Sequence, residues 1–193
     1  MTQSFIDCEK FVVNEQFALV KNTYEIMNEK GEVIGKIKER RSGWHIFAGL
    51  LVNKQMLPFH LDLLDEQENV LATIERGFTW FRSVITVYDA SRNKVGTLRQ
   101  RLLTLKSKFT VMDKNGQEIG LLKGGFLAWD FTVTNNAGET IGAINKKING
   151  VLNEFFTTKD KYMVEIPSSV TDHDVRTLIA SCACAIDLIY KER

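Results

Sequence analysis

The chain has 193 residues, of which 44% are hydrophobic and 25% charged, an ordinary globular composition. Its 25 basic and 24 acidic residues give a formal net charge of +1, without the positive excess expected of a dedicated nucleic-acid-binding protein. With three cysteines and no basic, apolar leader after Met1, the sequence predicts one domain, 1–193, in a reducing cytoplasm.

A short pattern recurs five times along the chain and predicts its fold. An Asp or Asn is followed six and seven residues later by Val, Ile or Leu and then by Gly or Ala. The copies, which we call echoes 1 to 5, are 28–35 (NEKGEVIG), 65–72 (DEQENVLA), 89–96 (DASRNKVG), 113–120 (DKNGQEIG) and 135–142 (NNAGETIG). Alternating apolar residues flank each echo, so each predicts a strand, a polar turn and a second strand.

The strands are predicted in chain order from the same alternation. Residues 11–13 and 17–20 form an opening hairpin, and echo 1 carries Tyr24, Ile26, Val33 and Ile37 in alternation. Echoes 2 to 5 continue the meander, and a last pair of strands runs through 152–157 and 162–166 and stops at Pro167. The total is about twelve strands between residues 11 and 166, all in hairpins and none in βαβ units.

After Pro167 the apolar period becomes that of a helix. Thr171, followed three residues later by Asp174, predicts the N-cap of a helix spanning about 172–190. Arg176 and Asp187 are the only charges in 175–190, and we expect them to share a face as a structural pair.

A helix that is apolar nearly all round is either enclosed by protein or inserted in lipid. A bilayer span needs roughly 20 apolar residues, more than this helix provides, so enclosure inside a barrel of about a dozen strands is favoured. Cys182 and Cys184 point in different directions from such a helix, and we predict that both are core residues.

Two other groups of residues have alternative interpretations. The aromatic side chains between the echoes predict either a membrane-interface or base-stacking surface or, preferably, closure of the barrel core. They are Trp44, Phe47, Phe78, Trp80, Phe81, Phe126 and Trp129. The run Asp172, His173, Asp174 resembles a metal-ligand set, but helix capping is the favoured interpretation.

The echoes, FFTTKDKYMVEIP at 155–167 and ASCACAIDLIY at 180–190 resemble the Tubby C-terminal-like superfamily. Within it, the sequence is most similar to the phospholipid scramblase and LURP-one-related branch, including its small bacterial members. The resemblance covers about 11–190 and implies a twelve-stranded antiparallel barrel around a hydrophobic C-terminal helix. It also implies a lipid-related protein that is not an enzyme.

The resemblance also allows a metal site to be assessed. In eukaryotic scramblases an acidic segment is proposed to bind calcium, and its carboxylates would fall here on Thr158, Asp160 and Ser169. Only Asp160 is acidic, whereas calcium takes six to eight oxygen ligands, usually with several carboxylates. We therefore predict no calcium site, no other metal and no cofactor.

Tubby-like domains hold phosphoinositide headgroups with Lys and Arg on the outer barrel surface, and this implies candidate residues here. Along a strand, residues two apart share a face, so basic residues at that spacing can form rows. The candidates are Lys36, Lys38, Arg40 and Arg41, then Arg99 and Arg101 with Lys106 and Lys108, and finally Lys146 and Lys147. The alternative is that such charges only protect strand edges from aggregation.

These features together lead to three hypotheses about function. The leading one is a non-enzymatic module that binds anionic phospholipid headgroups, cytoplasmic and peripheral at the inner membrane face. The alternatives are a scramblase that moves lipids between leaflets, and a soluble scaffold or ligand-binding barrel without a membrane role. With His45, His60 and His173 the only histidines, no nucleophile and base pair is identifiable, and the oligomeric state stays open.

Overall fold

The computed structural model describes residues 4–16, 23–40, 56–101, 108–125, 130–145 and 161–191. A short 3-10 helix, Phe5–Asp7, precedes the strands. The strands are β1 (Lys10–Gln16), β2 (Thr23–Met27), β3 (Val33–Glu39), β4 (Phe59–Leu64), β5 (Val70–Arg76), β6 (Val84–Asp89), β7 (Lys94–Gln100), β8 (Lys108–Asp113), β9 (Glu118–Gly125), β10 (Asp130–Asn135), β11 (Thr140–Asn145) and β12 (Lys161–Glu165). The chain ends in the helix α1 (His173–Lys191).

The strands form one closed antiparallel barrel in chain order. The barrel closes at β1, where Phe11 lies opposite Val164 of β12 and Val13 lies opposite Ile26 of β2. Closure pairs each of the twelve described strands on both sides, so none of them presents a free sheet edge. The predicted barrel is confirmed, and the predicted strands at 17–20 and 152–157 lie outside the described residues.

The first residue of every echo organises its own turn. The Asn28 Oδ1 atom accepts hydrogen bonds from the backbone N–H groups of Lys30 and Glu32, at 2.9 and 3.0 Å. The same bond to the residue four positions on recurs at Asp65, Asp89, Asp113 and Asn135. The fourth residue of every echo is left-handed, with φ of 81°, 65°, 67°, 82° and 84° at Gly31, Glu68, Arg92, Gly116 and Gly138. The repeat therefore encodes one turn geometry five times, which explains why Asp or Asn begins it.

The last residue of an echo is small because it faces the inside of the barrel. A Cβ atom built on Gly96 would lie 2.9 Å from Cδ1 of Leu178, and one on Gly142 would lie 2.6 Å from Cγ2 of Ile179. Both contacts are too close for real atoms, so these glycines let α1 approach the barrel wall, and at Gly96 the carbonyl of Met112 on the neighbouring strand is closer still.

Helix α1 fills the barrel as predicted. Leu178, Ile179 and Ile186 are at most 1% exposed, and Cys182 and Cys184 are buried with them. Where Cys182, Ala185 and Ile186 face the barrel wall, the remaining gap is too small for a water molecule. The wall at this point consists of Ile85, Leu98, Phe109 and Leu122.

The start of α1 differs from the sequence prediction. The N-cap is Asp172 and not Thr171, because Asp172 Oδ1 accepts from the backbone N–H groups of Asp174 (2.8 Å) and Val175 (3.2 Å). Asp172 is closer to the free N–H groups and carries a charge that the helix dipole favours.

Arg176 is buried and anchors the N-terminal segment to α1. It donates hydrogen bonds to the backbone carbonyls of Ile6, Cys8 and Val170, at 2.8, 2.6 and 3.0 Å. The predicted pairing with Asp187 is therefore wrong for Arg176, since eleven residues of helix separate the two by about 16 Å. The side chain of Asp187 is outside the described part of the structure.

The alternation predicted through echo 1 is interrupted at Val33. Tyr24, Ile26 and Ile37 are buried, but Val33 is 40% exposed. The ladder between β2 and β3 shifts register after Ile26, where Met27 pairs with Val33, so the alternation is not continuous through the turn.

Candidate functional site

The first basic row lies on the outer wall of β3, as its spacing predicted. Lys36 and Lys38 alternate with Gly35 and Ile37, which face the core. Both lysine Nζ atoms contact the Glu68 carboxylate in the turn of echo 2, at 3.3 and 2.8 Å. Hydrogen bonds from Lys38 and Lys36 hold the pKa of Glu68 below its usual value. The two lysines therefore already share an anionic partner.

Arg40 continues this row and is paired too. Its Nε atom contacts the Asp62 carboxylate, whose side chain is only 7% exposed. The Oδ1 atom of Asp62 also accepts a hydrogen bond from Thr73 Oγ1 at 3.2 Å and lies 3.3 Å from His60 Nε2. A carboxylate so enclosed needs several partners to offset its lost hydration, and these contacts supply them.

The network extends to β5 through His60. Its Nδ1 atom lies 3.0 Å from Glu75 Oε1, and the same oxygen accepts from Arg92 at 2.7 Å. The hydrogen bond from Arg92 to Glu75 raises the pKa of Arg92 above its usual value. The cations on this wall are Lys36, Lys38, Arg40 and Arg92, and their acidic partners are Glu68, Asp62 and Glu75. Most of the positive charge on this wall is therefore neutralised.

A second group of cations lies on the outer wall of β7 to β9, and we call Arg99, Arg101 and Lys123 the β7–β9 patch. Leu122 is buried and Lys123 is exposed, so Lys123 belongs to the outer face. Lys108 lies directly opposite Lys123 in the ladder. Like charges in this arrangement destabilise a sheet unless an anion lies near them.

The β7–β9 patch has little acidic compensation. Arg101 donates to Thr110 Oγ1 at 3.0 Å and lies 3.4 Å from Glu118 Oε1. In the part of the chain that the structure describes, this is the one ion pair that involves Arg99, Arg101 or Lys123. Arg99 and Lys123 are both exposed.

Sequence reasoning found part of this patch and missed Lys123. The spacing after echo 3 identified Arg99, Arg101 and Lys108, whereas Lys123 has no basic neighbour in sequence. Counting outward from the turn of echo 4 would have placed Leu122 opposite Lys108, because the ladder shifts register between Val111 and Met112. The remaining candidates, Arg41, Lys106, Lys146 and Lys147, lie outside the described residues and stay predictions.

Three aromatic side chains next to this wall are not where barrel closure would place them. Phe78, Trp80 and Phe81 lie between β5 and β6 and are 45%, 72% and 85% exposed. The prediction that these three residues close the barrel core is therefore wrong. The other aromatic candidates, at 44, 47, 126 and 129, lie outside the described residues.

The candidate metal ligands at the start of α1 have structural roles, as favoured from the sequence. Asp172 caps the helix, and Asp174 lies 3.3 Å from the Nζ atom of Lys114. The described residues contain no group of three His, Cys, Asp or Glu side chains placed to hold a metal ion. Thr158 and Asp160 are outside that part of the chain, so the absence of calcium binding stays a prediction.

The described part of the chain contains no helix that is long and apolar enough to cross a membrane.

A twelve-stranded antiparallel barrel filled by its own C-terminal helix defines the Tubby-like class of proteins. The sequence model of the Scramblase family matches residues 7–193, and the chain belongs to this family, as the resemblance predicted. A protein from Arabidopsis thaliana with a solved X-ray structure has the same fold, with a TM-score of 0.57 over 96% of this chain and 97% of that chain. The two are 12% identical, so this likeness is evidence of fold alone. The comparison with curated proteins gives no match.

Proposed function

We propose that this protein binds anionic phospholipid headgroups at a membrane surface, through cations on the outer wall of its barrel. Membership of the Scramblase family supports a lipid-related role in general. The observation that carries the proposal is the β7–β9 patch, in which the exposed side chains of Arg99, Arg101 and Lys123 have one acidic partner among the described residues, Glu118. A phosphate group is the type of ligand that such a cluster can stabilise.

The two basic groups are not equivalent in this proposal. Lys36, Lys38 and Arg40 would have to exchange existing ion pairs for contacts with a headgroup. Arg99 and Lys123 have no such partner among the described residues, so their charge is available to an anion. We therefore assign the larger share of binding to the β7–β9 patch.

Cosedimentation with lipid vesicles tests the proposal. We expect binding to vesicles of phosphatidylcholine that contain phosphatidylserine, and little binding to phosphatidylcholine alone. Replacing Arg99 and Lys123 with Ala should weaken binding about 30-fold, since each cation near an anionic surface contributes about 1 kcal/mol. Raising the salt concentration should weaken binding by the wild-type protein more than binding by this variant.

The matched control removes the same charge at the other end of the barrel. Lys30 and Lys94 are exposed, and Lys94 precedes Arg99 by about 17 Å of strand. The double Ala variant at these positions should bind nearly as well as wild type. Equal losses in the two double variants would show that net charge and not the patch matters, and no binding to anionic vesicles at low salt would end the proposal.

The two alternatives from the sequence have less support in the described part of the barrel. Transbilayer lipid movement by a helix that leaves the barrel would expose Leu178, Ile179 and Ile186, which are buried in its core. A ligand inside the barrel would compete with α1 for space that lacks room for a water molecule around Cys182. A role in binding rather than in catalysis is part of our proposal.

A further inference from the structure

The loop between β5 and β6 presents an apolar tip to solvent. Trp80 and Phe81 are 72% and 85% exposed, and Phe78 packs edge-on against Trp80 with their ring centroids 5.4 Å apart. Val84, the first residue of β6, is 38% exposed. These are four of the five large hydrophobic residues that are exposed in the described part of the chain.

Hydrogen bonds at both ends hold this loop in place. The backbone N–H of Thr79 donates to the carbonyl of Met56 at 3.0 Å. The backbone N–H of Ser83 donates to Gln100 Oε1 at 3.2 Å, and the Gln100 N–H donates to the Ser83 carbonyl at 2.8 Å. The backbone on either side of the rings is thus hydrogen-bonded to Met56 and to Gln100 of β7, while the rings themselves are exposed. The exposure of the rings therefore belongs to a defined conformation.

The tip itself carries a positive charge. Residues 77–84 include Arg82 and no acidic residue, and Arg82 is exposed. Val84 lies opposite Arg99 in the ladder between β6 and β7, so the apolar tip is continuous with the β7–β9 patch. Apolar rings beside cations match the interface of an anionic bilayer, where aromatic side chains lie at headgroup level and cations contact phosphate.

We propose that Trp80 and Phe81 insert into the interfacial region of an anionic bilayer, while Arg82 and Arg99 stay at the level of the headgroups. This inference rests on the proposed headgroup binding and adds a hydrophobic contact to it. The tip then anchors the barrel to the bilayer at the end where β5 finishes and β6 begins.

The area of the tip favours a bilayer over a second copy of the chain. With side chains of about 200 Å² each, Phe78, Trp80 and Phe81 expose about 400 Å². A standard protein interface buries about 800 Å² on each partner, roughly twice this area. Insertion into lipid needs no complementary surface, so a small protruding tip is sufficient for it.

Vesicle binding by loop variants is the first test. Replacing Trp80 and Phe81 with Ala should weaken binding to mixed phosphatidylcholine and phosphatidylserine vesicles by about tenfold or more. Residual wild-type binding at about 1 M salt, where charge interactions are screened, should be lost in this variant. Val33→Ser is the matched control, because Val33 is 40% exposed next to echo 1, and it should bind as wild type does.

Fluorescence gives the second test, which reads the position of one ring. Vesicles of brominated phosphatidylcholine with phosphatidylserine should quench the tryptophan emission of the wild-type protein. Trp80→Phe should remove most of this quenching while keeping binding nearly intact, since Phe also partitions into the interface. Equal quenching in both proteins would overturn the insertion.

The outcomes separate the two proposals. If the Arg99 and Lys123 variant loses binding but the Trp80 and Phe81 variant does not, the insertion is wrong and headgroup binding stands. If the wild-type protein ignores anionic vesicles, both proposals fail. Should the loop variant change only the oligomeric state in sedimentation, the tip binds a second copy and the insertion is overturned.

Discussion

The glycine that ends echo 5 offers a sharp test of how the barrel accommodates its helix. A Cβ atom at Gly142 would lie 2.6 Å from Ile179 Cγ2, while its next neighbours, Ile179 Cδ1 and the Glu165 carbonyl, would lie at 3.5 and 3.6 Å. Ile179 is fully buried and β-branched, so its methyl group cannot turn aside at low cost. We expect Gly142→Ala to lower the free energy of unfolding by about 1 to 3 kcal/mol, the usual cost of overpacking a core.

Urea denaturation of a double-mutant cycle provides the assay. Ile179→Ala alone should cost about 2 to 5 kcal/mol because it leaves a cavity. The double variant should lose at least about 1 kcal/mol less stability than the sum of the two single losses, since the methyl group added at residue 142 then occupies part of that cavity. Gly77→Ala is the control, because no atom lies within 4 Å of its added Cβ. Wild-type stability of Gly142→Ala, or strictly additive costs, would refute the explanation.

Three further predictions concern a cap, a charge and a thiol. Asp172→Ala should lower the free energy of unfolding by about 1 kcal/mol in urea denaturation, whereas Thr171→Ala should leave it nearly unchanged, because Asp172 caps α1. Glu68→Gln removes the anion that the two β3 lysines share, but Glu68 lies in an echo turn, at the end that we expect to face away from the bilayer. The affinity for anionic vesicles should therefore change less than about twofold; a rise of about fivefold or more would place these lysines at the membrane. Burial raises the pKa of Cys182 to about 12 from 9.0, so the folded state keeps a proton that the unfolded chain loses. The stability that this proton provides is present below pH 9 and is lost as the pH rises towards 12. Cys182→Ala should make the free energy of unfolding, measured in urea between pH 9 and 12, fall less steeply. An unchanged slope would contradict the raised pKa of Cys182.

The hairpins could be predicted from sequence because each echo contains the whole of a local structure. Its Asp or Asn makes the turn bonds, its fourth residue takes the left-handed conformation, and its last residue is small, which in echoes 3 and 5 leaves room for α1. Two echoes have Glu68 and Arg92 where the others have glycine, at φ of 65° and 67°. Both side chains reach charges on neighbouring strands, which offsets part of the strain. Local chemistry of this kind is visible in one short window of sequence.

The pairing of basic residues with acidic ones at the candidate site could not be predicted in the same way. Lys38 and Glu68 are 30 residues apart, and Arg40 and Asp62 are 22 apart, so their pairing depends on how strands align. The row on β3 was therefore visible in the sequence, but its compensation by acids was not. The exposed rings were misassigned for a related reason, because an aromatic run between strands has the same pattern whether it points in or out.

The filled lumen leaves the outer wall and the ends of the barrel as the places where a lipid can bind, and the charges there are not evenly distributed. Echo turns carry Asp65 and Asp89 at one end, whereas Trp80, Phe81 and the β7–β9 patch lie towards the other. The pKa of Asp65 is held below its usual value mainly by a hydrogen bond from the side chain of Asn69. The side chain of Asn93 does the same for Asp89. These carboxylates thus stay ionised even at an anionic surface, where protons accumulate. In the membrane-bound state that we propose, repulsion turns the echo end away from the bilayer, while the cations and the aromatic tip face it.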